Sequence, residues 1–342
     1  MSLDILKDDI KNKKIRKLYL FFGPEEFLKK YYVESLEKIL LSGEFKSLNR
    51  IVLEGKQEIG KLTDYCETLP VFSDRKLIIV RNSGLFKPKK KDGEVKKAKP
   101  QAQGDELTAF IQDLPGHVCL VFYEAEVDKR LKTTLENIKK NGLVVEFEYQ
   151  RPDELIRWAS RKFRASGREI NLNTAAKLVE SCEQGMTEIL NEIEKLLAYT
   201  EGHQEITPED IEKVCTKSIK SRIFDLTDAI AEKKSSRALG LLNDMIILKE
   251  PVPKILFMIA RQFRQILQVR LLQEEGCGLS EIASRIGMSS YIAGKILKQA
   301  SNFSQSKLKK AVETSLELDL AVKTGKLEDR TAAELLIIEF SK

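Results

Sequence analysis

Up to about residue 149, short apolar runs alternate with segments in which apolar residues recur every three or four positions. The runs predict buried strands, and the wider spacing predicts amphipathic helices. The predicted strands are Leu18–Phe22, Asn49–Leu53, Lys76–Val80, His117–Phe122 and Leu143–Phe147. The helices predicted between them are Glu25–Leu41, Ile59–Glu67, Asp105–Gln112 and Lys129–Lys140. Apolar strands separated by helices predict a mostly parallel sheet that is covered on both faces.

The pattern changes after Tyr149, because no run from Asp153 onward predicts a strand. Helices are expected from Pro152 to Arg164, from Thr174 to Cys182 with Asn173 as N-cap, from Gly185 to Tyr199, and from Thr207-Pro208 onward. Seven more are predicted after Ser218: Phe224–Ala231, Ser236–Leu248, Pro253–Gln273, Ser280–Ile286, Tyr291–Ala300, Gln305–Thr324 and Arg330–Phe340. The sequence therefore predicts an α/β domain at 1–149, a small helical domain at 150–216 and a larger helical domain at 217–342.

The net charge of +6 is concentrated in one segment of the 342-residue chain. Lys87–Lys99 contains seven lysines against two acids, which leaves the rest of the chain close to neutral. The segment is poor in apolar residues and cannot bury a core. Two interpretations stay open: a solvated mobile loop, or transient contact with a phosphate backbone that weakens with salt.

Cysteine and histidine usage predicts neither a disulfide framework nor a metal centre. The five cysteines are far apart with no C-x-x-C pair, and the two histidines lack ligand-like neighbours. The sequence contains no apolar run of membrane-spanning length and no signal peptide. We therefore expect a reduced, cytoplasmic protein without a membrane association.

The strand at Leu18–Phe22 is followed by a glycine turn and a helix, which is the setting of a phosphate-binding loop. Such a loop has the pattern G-x-x-x-x-G-K-[ST], in which amides and the lysine hold phosphates and the hydroxyl binds magnesium. In residues 23–30, which we call the Gly23 loop, only Gly23 and Lys29 match that pattern. Leu28 replaces the second glycine, Lys30 replaces the hydroxyl residue, and Pro24 removes an amide donor.

The Gly23 loop also contains two acids, Glu25 and Glu26, in the first turn of the predicted helix, at the positive end of the helix dipole. A phosphate there would compete with both carboxylates. A nucleotide site of this kind also needs a Walker-B strand, an apolar run that ends in adjacent acids. Here the acids after the apolar run Val118–Tyr123 are separated as Glu124 and Glu126. We predict a degenerate nucleotide loop, no cofactor and no catalytic set.

The turn Leu69-Pro70-Val71-Phe72, called here the apolar turn, is unusual because loop tips normally carry small polar residues. Leu69 and Phe72 could fold back to close the end of the sheet. Alternatively, they could protrude and fill a partner's pocket, where clustered apolar anchors supply most of the binding energy.

Five stretches in order along the chain resemble the delta subunit family of the bacterial DNA polymerase III clamp loader. They are LYLFFGPEEFLKK, LPVFSDRKLIIVRN, IFDLTDAI, RQFRQILQVRLL and LDLAVKTGKLEDR. The resemblance implies an AAA+-like α/β module, a helical lid and a helical collar that joins the subunits. It also implies that the chain neither binds nor hydrolyses ATP, so that the polymerase (nucleotidyltransferase) activity belongs to the complex.

The resemblance further implies that the chain binds the ring-shaped sliding clamp, the beta subunit, and opens it at one interface. The family's apolar contact pair matches Val71-Phe72, with Leu69 beside it, and valine here replaces the commoner leucine. The implied partners also include the ATP-binding motor subunits, delta prime, and primed DNA through the assembly.

Two rival interpretations come from other classes of protein. Leu279–Leu297 has the pattern of a helix-turn-helix, with Gly287 at the turn, which would suit a DNA-binding regulator. Its second helix contains Tyr291 and Lys295, but its first turns have no Arg, Asn or Gln that could form bidentate hydrogen bonds with DNA bases. An active AAA+ ATPase is the other rival, opposed by the altered Gly23 loop.

Overall fold

In a computed structural model the chain forms two compact units, Met1–Tyr149 and Gln150–Lys342. The structure describes residues 2–41, 45–87, 100–183, 185–288 and 290–342, with side chains from residue 106 onward in the fourth helix. Most of the predicted Lys87–Lys99 loop lies outside these residues. The finer division of the second unit at residue 216 stays a prediction.

The first unit alternates helices and strands as predicted, with boundaries shifted by one to three residues. Its elements are α1 (Ser2–Lys11), β1 (Leu18–Phe22), α2 (Glu26–Leu40), β2 (Arg50–Glu54), α3 (Ile59–Glu67), β3 (Lys76–Arg81), α4 (Pro100–Gln112), β4 (Val118–Tyr123), α5 (Lys132–Asn141) and β5 (Leu143–Glu146). A short 3-10 turn, Lys46–Asn49, precedes β2. Helix α1 and this turn were not predicted, whereas α4 begins five residues earlier than expected.

The five strands form one parallel sheet in the order β2-β3-β4-β1-β5. Alternate residues of β1 enter two separate cores: Leu18, Leu20 and Phe22 on one face, Tyr19 and Phe21 on the other. Because the strands are parallel, the Gly23 loop lies at the carboxyl edge of the sheet. The apolar turn leads into β3 and therefore lies at the opposite, amino edge.

The second unit is helical except for one pair of two-residue strands. Its elements are α6 (Pro152–Ala165), β6 (Glu169–Ile170), α7 (Leu172–Ser181), α8 (Met186–Tyr199), β7 (Glu205–Ile206), α9 (Pro208–Val214), α10 (Ile219–Ala231), α11 (Ser235–Ile247), α12 (Val252–Glu274), α13 (Leu279–Ile286), α14 (Ser290–Ser301), α15 (Gln305–Lys323) and α16 (Asp329–Phe340). The expectation of no strand after Asp153 is wrong, because β6 and β7 pair in parallel. Two residues are too few to produce an alternating pattern.

The predicted N-cap of α7 is also wrong by two positions. Asn171, not Asn173, caps the helix, because its side-chain oxygen accepts the Thr174 backbone N–H at 2.8 Å. An N-cap side chain reaches the amide two or three residues later, which makes Asn171 the residue in register.

Helices α10–α16 share one core around α12. Ile259, Phe263 and Ile266 are fully buried in it, so the apolar face of RQFRQILQVRLL belongs to the interior. Among the described residues, no helix combines the length and the apolar character that crossing a bilayer requires.

Candidate functional site

The Gly23 loop uses its own backbone donors inside the first unit. Gly23 has φ +115°, and a Cβ there would lie 2.4 Å from the Phe147 carbonyl oxygen, so only glycine fits. The Gly23 N–H donates to the Ala125 carbonyl at 3.2 Å, and the Glu25 N–H donates to the Phe147 carbonyl at 3.1 Å. These two amides are therefore not available to a phosphate.

Helix α2 is capped by its own carboxylate. Glu25 is the N-cap rather than a first-turn residue, and its buried carboxylate accepts the Phe27 N–H at 3.3 Å. A carboxylate at this end of a helix satisfies a free amide and interacts favourably with the dipole. The predicted self-capping of this terminus is confirmed, with the helix beginning at Glu26.

Lys29, the residue in the position of a phosphate-binding lysine, is fully buried and already paired. Its ammonium lies 2.5 Å from Glu26 Oε1, 3.1 Å from the Glu124 carbonyl oxygen and 4.7 Å from the centre of the Tyr123 ring. The second oxygen of Glu26 accepts the Tyr123 hydroxyl at 2.6 Å. Lys30 is exposed and Leu28 packs against the core, so neither residue takes over the role of the hydroxyl or of the second glycine in a phosphate-binding loop.

Glu124 follows β4 at the position where a nucleotide site would hold magnesium. It is fully buried, and one carboxylate oxygen accepts the Ser83 N–H at 2.9 Å and the Ser83 hydroxyl at 2.6 Å. Burial raises the pKa of this carboxyl, although the bonds from Ser83 oppose the shift. Glu126 is exposed and lies 3.7 Å from the Lys87 ammonium. The two acids therefore do not converge.

The raised pKa of Glu124 predicts a particular pH dependence of stability. In the pH range above the ordinary carboxyl value, the native state still holds a proton that the unfolded chain has lost. The free energy of unfolding therefore falls as pH rises through that range. Glu124→Gln cannot ionise, so its stability relative to the wild type should increase between pH 5 and pH 8 in urea unfolding.

Glu126→Gln is the matched control, because it makes the same chemical change at an exposed position. It should leave the pH profile of the wild type unchanged. A stability difference between Glu124→Gln and wild type that is constant with pH would contradict the prediction.

The apolar turn is exposed at the amino edge of the sheet. The exposed fractions are 85% for Phe72, 73% for Leu69 and 40% for Val71. The interpretation in which Leu69 and Phe72 fold back to close the sheet is therefore wrong. Phe72 also has φ +46°, an uncommon backbone conformation for a bulky residue. Such conformations persist only where the surroundings hold them.

Asn49, the residue before β2, holds this turn. Its buried amide accepts the Val71 N–H at 2.7 Å and donates to the Val71 carbonyl at 2.8 Å and to the Phe45 carbonyl at 3.1 Å. Because β2 and β3 are parallel neighbours, Asn49 and the turn meet at the same edge of the sheet. The Phe45 ring lies against the Phe72 ring, with centres 4.9 Å apart.

The base of the turn is fixed by a buried lysine and a half-buried arginine. The Lys76 ammonium donates to the Tyr65 and Thr68 carbonyls at the end of α3, where the turn begins. Burial lowers the pKa of Lys76. The Arg75 guanidinium donates to the Ile15 carbonyl at 3.1 Å. The apolar turn is therefore an exposed surface on a fixed backbone, extended by the exposed side chains of Phe45 and Leu48.

Asn49, Phe45 and Leu48 belong to this surface although no local sequence pattern predicted it. An asparagine before a strand is a common feature, and no local pattern links it to a turn 22 residues later. The contact arises only when β2 and β3 pair.

The predicted helix-turn-helix geometry is present, but its second helix is used internally. Gly287 ends α13 in the left-handed conformation, and α14 begins at Ser290. Lys295 donates to Glu180 of α7 at 2.7 Å and lies 5.0 Å from the centre of the Tyr291 ring. The side chains that could contact DNA are therefore engaged inside the second unit. Ser289 lies outside the described residues.

A cavity of about 850 Å³ lies between α7, α9, α10 and α14 of the second unit. Like the Gly23 loop, this cavity is poorly suited to a nucleotide, because the charged groups along its wall pair with each other. The pairs are Lys177–Glu212 at 2.6 Å, Lys217–Asp225 at 2.7 Å and Lys295–Glu180 at 2.7 Å.

Comparisons with known proteins find relatives that match along the whole chain. The family model "DNA polymerase III, delta subunit" matches residues 19–148, and "DNA polymerase III delta subunit, C-terminal domain" matches residues 220–340. The chain is 27% identical to DNA polymerase III subunit delta of Bacillus subtilis, covering 100% of this chain and 97% of that protein. It is 21% identical to the probable DNA polymerase III subunit delta of Aquifex aeolicus, covering 89% of this chain and 82% of that protein.

Among solved structures, the Bacillus subtilis DNA clamp loader delta protein has the same fold. It matches with a TM-score of 0.53 and 24% identity, covering 100% of this chain and 99% of that chain. The predicted α/β fold with a parallel sheet, followed by a helical region, is confirmed. Together the two family models span most of the chain, which therefore belongs to the DNA polymerase III delta subunit family.

Proposed function

We propose that this clamp loader component binds a sliding clamp ring through its apolar turn and opens the ring at one interface, so that the ring can be loaded on primed DNA. The observation that carries the proposal is the exposure of Phe72 and Leu69 on a turn whose backbone is held by Asn49. Large apolar side chains exposed on a fixed surface are typical of interaction sites.

The energetics of the turn suit a protein contact. Burying a side chain of the size of Phe72 or Leu69 contributes about 1.5–3 kcal/mol before the costs of association. Those costs are reduced here, because a turn that is already ordered loses little conformational freedom on binding. The phenyl ring of Phe72 is also supported by Phe45 before any partner arrives.

Ring opening follows from differential binding. A closed and an opened ring are two states of the partner, and a ligand shifts their balance only by its preference between them. The apolar turn supplies affinity for the ring, and we expect the sheet behind it to fit the closed interface less well than the opened one. Binding at the edge of the ring then favours the opened state.

The chain performs this step without nucleotide chemistry of its own. The two backbone amides, the N-cap and Lys29 of the Gly23 loop are occupied by groups of the same chain. ATP-binding motor subunits and delta prime would supply the energy that controls access to the turn, with primed DNA held by the whole assembly. Polymerase activity belongs to the complex, and we expect this complex to act in the cytoplasm.

The proposal is tested with a bacterial sliding clamp labelled by a fluorescence pair across one ring interface. The isolated chain should bind the clamp and lower energy transfer across that interface, and adding MgATP should change neither result. Titration with a fluorescent ATP analogue should show no saturable, magnesium-dependent binding. Binding of the clamp without a change in energy transfer would contradict ring opening, and saturable nucleotide binding would support the ATPase rival.

A further inference from the structure

The exposed face of α6 carries a row of arginines that neither the fold nor the proposed clamp contact requires. Arg157, Arg161 and Arg164 are exposed and follow one another at spacings of four and three residues, so they lie one per helical turn on the same face. The opposite face of the helix is buried through residues such as Ala159 and Phe163. We call these three residues the arginine row.

The arginine row has no internal counter-charge. Within the described ranges of the chain, no carboxylate lies within ion-pair distance of any of its three side chains. Several exposed arginines elsewhere are paired, for example Arg130 with Asp128 at 2.8 Å and Arg285 with Glu281 at 2.7 Å. Like charges one turn apart weaken a helix, so the row does not contribute to folding.

The local composition departs from that of the rest of the chain. Residues 151–168 contain five arginines and one lysine against two acids, whereas the whole chain has 41 lysines and 17 arginines. Residues 169–216 contain three lysines against eleven acids, so the positive charge of this region is concentrated in residues 151–168. Arginine differs from lysine in its planar fork, which matches phosphate oxygens in pairs.

We propose that the arginine row binds the phosphate backbone of duplex DNA without sequence preference. From Arg157 to Arg164 the helix rises roughly 10 Å, about the axial length of three phosphates of one strand. Single-stranded sites add aromatic side chains on which bases stack. Trp158, the aromatic residue beside the row, is half-buried, and the Lys162 ammonium lies 5.8 Å from its ring centre. An anionic membrane is disfavoured, because α6 exposes no large apolar side chain.

The test compares the affinity of the full chain for a labelled random-sequence duplex by fluorescence anisotropy at several salt concentrations. The variant Arg157→Gln, Arg161→Gln, Arg164→Gln should bind about 10- to 100-fold more weakly at low salt. The slope of log K against log salt should decrease by about 2 to 3, since each lost phosphate contact removes roughly 0.9. The matching Arg→Lys variant keeps the charges and should retain most of the slope.

The control variant Lys213→Gln, Lys309→Gln, Lys326→Gln removes the same charge from exposed positions away from the row and should leave the slope unchanged. An equal loss in this control, or no loss in the arginine variant, would overturn the proposal. It would also be overturned by tighter binding of single-stranded than of duplex DNA, or by equal competition from polyglutamate. All variants should unfold at the wild-type temperature, because every changed side chain is exposed.

Discussion

Phe72→Ala should abolish most of the affinity of this chain for a bacterial sliding clamp. Phe72 is the most exposed side chain of the apolar turn, and truncation of a central aromatic anchor typically costs about 2–4 kcal/mol of binding free energy. That corresponds to roughly a 30- to 700-fold increase in Kd, measurable by surface plasmon resonance on immobilised clamp. Leu69→Ala and Val71→Ala should have smaller effects, in the order of their exposed apolar area.

The stability of the free chain should be nearly unaffected by Phe72→Ala, because the ring is largely in water before binding. Alanine at this position keeps the unfavourable φ of +46°, so the backbone conformation is not relaxed as it would be by glycine. Phe257→Ala removes an exposed phenyl ring from α12 in the second unit and is the matched control. Unchanged clamp affinity in Phe72→Ala would rule out the proposed contact.

Asn49→Ala should weaken clamp binding although every apolar side chain of the turn is retained. Asn49 is buried and makes three hydrogen bonds, two of them with the backbone of Val71. Losing these partly buried hydrogen bonds costs about 0.5–1.5 kcal/mol of unfolding free energy for each bond. The turn then samples other conformations, and ordering it on the clamp should raise Kd by roughly 10-fold.

A positioning role is separated from general destabilisation by a double-mutant cycle. If Asn49 acts through the turn, Asn49→Ala should lower clamp affinity much less in the Phe72→Ala background than in the wild type. Amide hydrogen exchange at residues 70–72 should also increase in Asn49→Ala. Asn141→Ala changes an exposed asparagine of the same unit and is the control. Additive losses in the cycle would contradict the positioning role.

Much of the first unit could be predicted from local pattern. The central strands β1, β3 and β4 contain continuous apolar runs, because a strand covered on both faces has no polar side. The self-capping of α2 by Glu25 was also readable from the chain, since an N-cap is a contact between near neighbours. The two-residue strands β6 and β7 and the cap of α7 were missed or misplaced, because their signals are one or two residues long.

The exposure of the apolar turn could not be predicted from local sequence pattern. Its composition and spacing favoured an inward plug and left a protruding turn as the alternative, since both place the same side chains in the same short segment. The answer depended on Asn49, which is 22 residues away in sequence and holds the turn through Val71. The pattern also could not place Phe45 against Phe72.

By itself the sequence determined the α/β and helical elements, the substitutions in the Gly23 loop and the unusual apolar character of residues 69–72. Those features follow from residue types and spacings within a few positions. The tertiary structure decided that Lys29 pairs with Glu26 and donates to the Glu124 carbonyl 95 residues away, and that Phe72 is left in water. Ion pairing and exposure depend on which distant segments pack together, and the local spacing of apolar residues does not predict that packing.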